Sequence, residues 1–276
     1  MIERLDVKRE RRPIVLIPEV TYSQAFVNMH CVNVPLRLSL IIPVMPKRAP
    51  VILWLEGGGW KTLNEMYAVP ELVYLAEAGY AVACVQYRTS AQAAFPGQID
   101  DAKSAVRFLR GNADRFFLDA ERVGAMGRSA GGTIASMMSM DDEAGVSAVV
   151  SMYAIYDFNS YYAASDYLKT GKAEAISNIE AYLGTFGRSD DEVLRKASPI
   201  RMVSEGARPH MLIQGTKDAF VPEAQSADFH DALAENGVPV ELIVIDGASH
   251  GSEEFDQICI KDRIVRFFNE HVQGGR

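Results

Sequence analysis

Strand-like and helix-like periodicities alternate along this chain, and few folds accept such an alternation. Apolar runs rich in Val and Ile predict strands over Met29–Ile42, Pro50–Leu55, Ala81–Gln86, Arg122–Met126, Ala148–Met152, His210–Gln214 and Val240–Ile245. Helix-period segments fall between most of them, over Val69–Ala78, Ile99–Asn112, Ala130–Met140, Glu223–Asn236 and Ser252–Val272. Strands alternating with helices run largely parallel and are covered on both faces, so an α/β fold with a mostly parallel central sheet is expected. The first strands follow one another without a helix, which predicts an antiparallel edge. Gly79, Gly124 and Gly237 are expected at helix-to-strand joints, where a left-handed residue ends a helix.

Residues 1–276 suit a single domain. One stretch, about 153–208, breaks the rhythm: it has no strand pattern but many aromatics (Tyr153, Tyr156, Phe158, Tyr161, Tyr162, Tyr167, Tyr182 and Phe186). A long insertion at the carboxyl end of a strand is expected to form a small helical cap. Its aromatics either line a pocket or bury the cap against the sheet.

The net charge of −8 and the scattering of Lys and Arg argue against nucleic-acid binding, which needs a concentrated positive face. Cys31, Cys84 and Cys259 form no Cys-x-x-Cys pair, so buried free thiols are expected and no disulfide framework. Met1–Val20 carries charges of both signs and lacks the apolar stretch of a signal peptide, and no run approaches bilayer-spanning length. A cytoplasmic protein without a membrane partner is the expectation.

The sharpest local motif is Gly127-Arg128-Ser129-Ala130-Gly131-Gly132, set between the strand Arg122–Met126 and a helical pattern. A nucleophile on a sharp strand-to-helix turn needs strained backbone angles, and residues two before and two after must lack side chains. The helix N-terminus behind Ser129 favours negative charge developing beside it. A serine hydroxyl also needs a base held by a third group. Of the five histidines, His250 follows the last predicted strand, in Gly247-Ala248-Ser249-His250-Gly251, where an open α/β sheet gathers functional groups. Asp218, just past the strand His210–Gln214, is the preferred orienting acid over Asp246 and Asp256. The order Ser129, Asp218, His250 is nucleophile, acid, base.

Glu56-Gly57-Gly58-Gly59-Trp60 follows the strand Pro50–Leu55 and offers bare N–H groups for an oxyanion. Gly57 and Gly58 with Ala130 are the expected donors, and Gly59 is the alternative. No Gly-Lys-Ser/Thr ending supports a phosphate cradle, and no cofactor or metal is expected.

Together, Gly57-Gly58-Gly59-Trp60, Gly127–Gly132, Asp218 with Val221-Pro222, and His250-Gly251 resemble the glycine-triplet branch of α/β-hydrolases. That branch includes hormone-sensitive-lipase-like carboxylesterases and bacterial acetyl xylan and feruloyl esterases. Phe95-Pro96-Gly97-Gln98-Ile99-Asp100-Asp101-Ala102 and Asp119–Val123 are similar to the latter group. The resemblance implies an α/β-hydrolase fold and a serine carboxylesterase acting on short-chain or aromatic small-molecule esters, with Trp60, Tyr156 and Phe220 near the substrate. An amide or formamide hydrolase, a peptidase and a non-catalytic interaction module are the alternatives, and a homodimer is left open. One departure is Glu56, where such enzymes usually carry histidine; a carboxylate there is expected to repel acidic acyl groups or bind a polar one.

Overall fold

A computed structural model describes residues 4–6, 11–27, 32–163, 173–185 and 191–274. Its centre is one sheet of β1 (Ile14–Val27), β2 (Val32–Pro43), β3 (Ala49–Leu55), β4 (Ala81–Val85), β5 (Leu118–Arg128), β6 (Ala148–Met152), β7 (His210–Gly215) and β8 (Val240–Ile245). The strand order is β1-β2-β4-β3-β5-β6-β7-β8. From β4 to β8 every pairing is parallel, whereas β1–β2 and β2–β4 are antiparallel. The fold is that of an α/β-hydrolase.

Every residue of β3, β4 and β6 is buried, which explains why these strands read as continuous apolar runs. Period-two alternation divides β3 between two cores. Val51, Leu53 and Leu55 pack on one face, and Ile52 and Trp54 on the other. Helices cover both faces: α1 (Val69–Glu77), α2 (Gly97–Gly111), α3 (Ala113–Phe116), α4 (Ala130–Ser139), α5 (Phe158–Ala163), α6 (Ala173–Leu183), α7 (Asp191–Ala197), α8 (Glu223–Glu235) and α9 (Ile258–Phe268). α4 is buried along its whole length. Between β6 and β7 the described residues form α5, α6, α7 and a 3-10 turn over Pro199–Met202.

β3 runs on to β4 on one side of the sheet, and β5 then pairs with the other side of β3. That reversal places the carboxyl ends of β3 and β5 at the topological switch point, where open α/β sheets bind ligands. Leu55 pairs with Gly127, so the loops after these strands start level with each other.

Several expectations need correction. β1 has no counterpart among the predicted strands: it carries Pro18 and Glu19, shifts register at two points and exposes Val15, Leu16 and Phe26. Gly124 lies within β5 and not at a joint; a β-carbon there would sit 2.8 Å from the Phe268 ring. Cys84 is buried, with its thiol pKa pushed up to about 12 by burial and then by the Glu56 and Glu65 charges, but Cys259 is exposed. His30, Cys31, Tyr167 and Phe186 lie outside the described residues.

Candidate active site

β5 ends at Arg128, and α4 begins at Ala130, so the chain must reverse at a single residue. Ser129 does so at φ 52° and ψ −123°, a conformation that L-residues avoid. The flanking glycines make the turn passable. A β-carbon on Gly127 would lie 2.3 Å from the Gly131 carbonyl oxygen, and one on Gly132 would lie 2.8 Å from both Ala154 Cβ and Ser151 Oγ. The Ser129 N–H donates to the Met152 carbonyl at 2.9 Å, which anchors the turn to β6.

The loops after β7 and β8 bring two more side chains to this rim. His250 Nε2 lies 3.0 Å from Ser129 Oγ, and His250 Nδ1 lies 2.7 Å from Asp218 Oδ2. The Asp218 side chain is wholly buried, and that of His250 is 20 % exposed. Asp218 is well satisfied: Oδ1 accepts from the N–H groups of Phe220 and Val221, both at 2.8 Å, and Oδ2 accepts from Gln214 Nε2 at 3.2 Å. A carboxylate so placed makes Nδ1 the protonated ring nitrogen and leaves Nε2 to accept from the serine. Tyr153 and Phe220 flank the imidazole, with ring centroids 4.7 and 5.3 Å away. Among the described residues, neither Asp246 nor Asp256 is hydrogen-bonded to it.

The glycine loop differs from expectation at one donor. The Gly57 N–H donates to Glu56 Oε1 at 2.8 Å and is therefore occupied. Among the described residues, the N–H groups of Gly58, Gly59 and Ala130 have no protein acceptor. Ala130 opens α4, so its N–H has no intrahelical partner. Gly58 and Gly59 have φ of 123° and 59°, and a β-carbon on Gly58 would lie 2.1 Å from the Thr62 carbonyl oxygen. Of the expected donors Gly57, Gly58 and Ala130, only that of Gly57 is taken up by a protein acceptor, and Gly59, the alternative, is among those without a described one.

Glu56 does not offer a free carboxylate either. Arg128 donates from Nε to Oε1 at 2.6 Å and from Nη2 to Oε2 at 3.1 Å, while its Nη1 donates to Glu71 on α1 at 3.0 Å. Buried charge needs such pairing. Burial raises the pKa of Glu71, and Arg128 only partly offsets that rise.

Ser129, His250, the glycine loop and the Glu56–Arg128 pair line a cavity of about 880 Å³. Trp60 and Phe220 are in its wall together with Ile155, Tyr161, Ile179 and Val221. Trp60 is 2 % exposed and stacks on Tyr182 at 4.2 Å, whereas Phe220 is 51 % exposed. Tyr156 is elsewhere. It is fully buried, stacks on Phe229 at 4.4 Å and donates to Ser151 Oγ at 2.8 Å, so it does not line the cavity.

A family model described as BD-FAE matches residues 38–233, well over half of the chain. The chain belongs to the BD-FAE family. This BD-FAE chain is 29 % identical over 229 residues to esterase LipC of Mycobacterium tuberculosis, covering 76 % of itself and 55 % of that protein. It is 29 % identical over 228 residues to a probable isoprenylcysteine alpha-carbonyl methylesterase, ICMEL1 of Oryza sativa subsp. japonica, covering 78 % of itself and 54 % of that protein. It therefore spans about half the length of these curated relatives. Among solved structures it resembles a truncated carbohydrate esterase from gut microbiota, with 22 % identity, a TM-score of 0.78 and coverage of 96 % of this chain and 99 % of that one. It also resembles an acetyl ester-xyloside bifunctional hydrolase from Caldicellulosiruptor lactoaceticus, with 22 % identity, a TM-score of 0.75 and coverage of 91 % and 95 %. These likenesses show the shared fold. Among the described residues, no helix of the BD-FAE chain is long and apolar enough to cross a membrane.

Two residues of the BD-FAE site escape a reading by motif. Arg128 occupies the unspecified position of the Gly-x-Ser turn, and Tyr153 lies outside every motif. The signal for Arg128 was Glu56 itself: a carboxylate predicted at the buried end of a strand calls for a nearby cation.

Proposed function

We propose that this chain is a serine carboxylesterase that hydrolyses short-chain or aromatic esters through an acyl-enzyme on Ser129. The observation that carries the reading is the run of hydrogen-bond distances from Asp218 through His250 to Ser129, 2.7 and 3.0 Å, beside N–H groups that have no acceptor among the described residues. In the first half-reaction His250 Nε2 takes the hydroxyl proton as Ser129 Oγ attacks the ester carbonyl. Asp218 holds the ring tautomer and stabilises the imidazolium. Gly58, Gly59 and Ala130 donate to the oxyanion, and the N-terminus of α4 lowers its energy further. His250 returns the proton to the departing alcohol, and water repeats the sequence on the acyl group.

The apolar wall formed by Trp60, Ile155, Phe220 and Val221 suits a small or flat uncharged acyl group. The names of the relatives and of the structural neighbours, an esterase, a methylesterase and a carbohydrate esterase, favour ester over amide substrates. The described residues between 153 and 208 act as a cap in this reading, with Tyr161 and Ile179 in the cavity wall. A cytoplasmic location and a homodimer belong to the same proposal.

The test is a panel of 4-nitrophenyl acetate, methyl ferulate, acetylated sugars and N-formylkynurenine, alongside labelling by a fluorophosphonate probe. Ester turnover with an adduct on Ser129 supports the proposal. Turnover of the formamide alone would move the assignment to amide hydrolysis, and an unlabelled, inactive protein would favour a non-catalytic module.

A further inference from the structure

We propose that the Glu56–Arg128 ion pair is a positioning device that clamps the oxyanion loop to the nucleophile turn, so that hole and nucleophile hold a fixed separation. The inference rests on the reading of Ser129 as nucleophile.

Each partner is the immediate neighbour of a working group. Arg128 precedes Ser129, and Glu56 precedes the glycine triplet. The two guanidinium contacts, at 2.6 and 3.1 Å, reach both carboxylate oxygens, the bidentate geometry that fixes orientation as well as distance. The same carboxylate accepts from the Gly57 N–H at 2.8 Å and from Trp54 Nε1 at 3.4 Å. The N–H just before the two free donors is thereby pinned by a group that Arg128 holds in place. The main chains also touch: a β-carbon on Gly57 would lie 3.0 Å from the Arg128 carbonyl oxygen. The Glu56 carbonyl accepts from Tyr87 at 2.6 Å, and Arg128 reaches Glu71 on α1 at 3.0 Å, so the clamp is braced from two sides. The pair touches no reacting atom. It acts through Gly58, Gly59 and Ser129.

Oxyanion donors count only when they are pre-placed for the transition state, and misplacement by about 1 Å can cost about a hundredfold. Loosening the clamp therefore lowers turnover more than it weakens substrate binding. Removal of Arg128 alone leaves the buried Glu56 carboxylate unpaired together with the half-buried Glu71. Removal of Glu56 alone leaves Arg128 paired with Glu71 only, and removal of both leaves only Glu71 without its cation.

The test compares the parent with E56Q, R128M and E56M/R128M, measuring melting temperature, kcat and KM for 4-nitrophenyl acetate, and Ki for an aryl trifluoromethyl ketone. That ketone accepts Ser129 Oγ at its carbonyl carbon, the serine proton passes to His250, and the resulting hemiketal oxyanion occupies the hole. The expected result for E56M/R128M is a melting temperature above that of R128M, since only R128M strands the buried Glu56 carboxylate. Its kcat should fall by about 10- to 100-fold and its Ki rise by a similar factor, with KM within about threefold. E56Q, which keeps the shape and removes the charge, should shift Ki in the same direction. Ki does not depend on the active fraction, so a purely structural role leaves it unmoved. Parental Ki and kcat in both E56Q and E56M/R128M would overturn the clamp while leaving the nucleophile assignment intact; failure of the parent itself to form a Ser129 fluorophosphonate adduct would remove both.

Discussion

Gly131 packs against the end of β3 so closely that a β-carbon on it would lie 2.0 Å from the carbonyl oxygen of Leu55. The turn that carries Ser129 and the strand that feeds the glycine loop are therefore in main-chain contact. Two motifs distant in sequence act as one site because no side chain intervenes between them.

Substituting Gly131→Ala forces apart two backbone segments that have no rotamer to yield. Overpacking of this kind is expected to cost about 3 kcal/mol and to lower kcat sharply. Urea unfolding and ester kinetics on the same preparation check both effects. A variant with parental stability would show that the contact relaxes freely.

Substituting Asp218→Asn should leave the fold and KM nearly unchanged while lowering kcat by about three to four orders of magnitude. The two N–H donors on Oδ1 retain the amide oxygen there, so the new NH2 group faces His250 Nδ1. The ring must then carry its proton on Nε2, where it cannot accept one from Ser129. Steady-state kinetics with 4-nitrophenyl acetate reads the loss.

The correction at Tyr156 makes a contrast. Phe220→Ala opens the cavity wall beside His250 and should raise KM for aromatic esters by about three- to tenfold. Tyr156→Phe should leave KM alone and destabilise the fold by about 1–2 kcal/mol, since it removes the bond to Ser151 Oγ in the core. Equal effects of both variants on KM would contradict this division.

The central sheet was legible because its buried parallel strands are unbroken apolar runs of Val, Ile and Leu, and few other structures accept them. β1 was not, because an edge strand pairs on one side only and tolerates Pro18, Glu19 and two register shifts. Ser129, Asp218 and His250 could be picked out because each follows a predicted strand at the same rim. Whether Tyr156 faces cavity or core could not be read, since aromatic content signals burial but not direction. The occupied N–H of Gly57 was equally hidden: it follows from a carboxylate whose partner lies at position 128, and only the pairing of Leu55 with Gly127 brings them together.

His210 provides a test of stability independent of activity. Its imidazole is fully buried, with Nδ1 2.7 Å from the Arg208 carbonyl oxygen and Nε2 3.1 Å from Ser139 Oγ. Burial lowers its pKa from 6.5 to about 4, against a smaller opposing effect of the Arg208 carbonyl. Between these values the unfolded chain binds the extra proton and the folded one does not. Stability is therefore fully present above pH 6.5 and is lost as pH falls toward 4, by on the order of 3 kcal/mol. Urea midpoints at pH 7 and pH 4.5 should differ more for the parent than for His210→Gln; identical shifts would exclude this contribution.

Ser129→Ala removes a single oxygen from the proposed nucleophile and nothing from the sheet. With 4-nitrophenyl acetate as substrate, kcat should fall by about four to six orders of magnitude at an unchanged melting temperature. A residual kcat within tenfold of the parent would show that this hydroxyl does not carry the reaction.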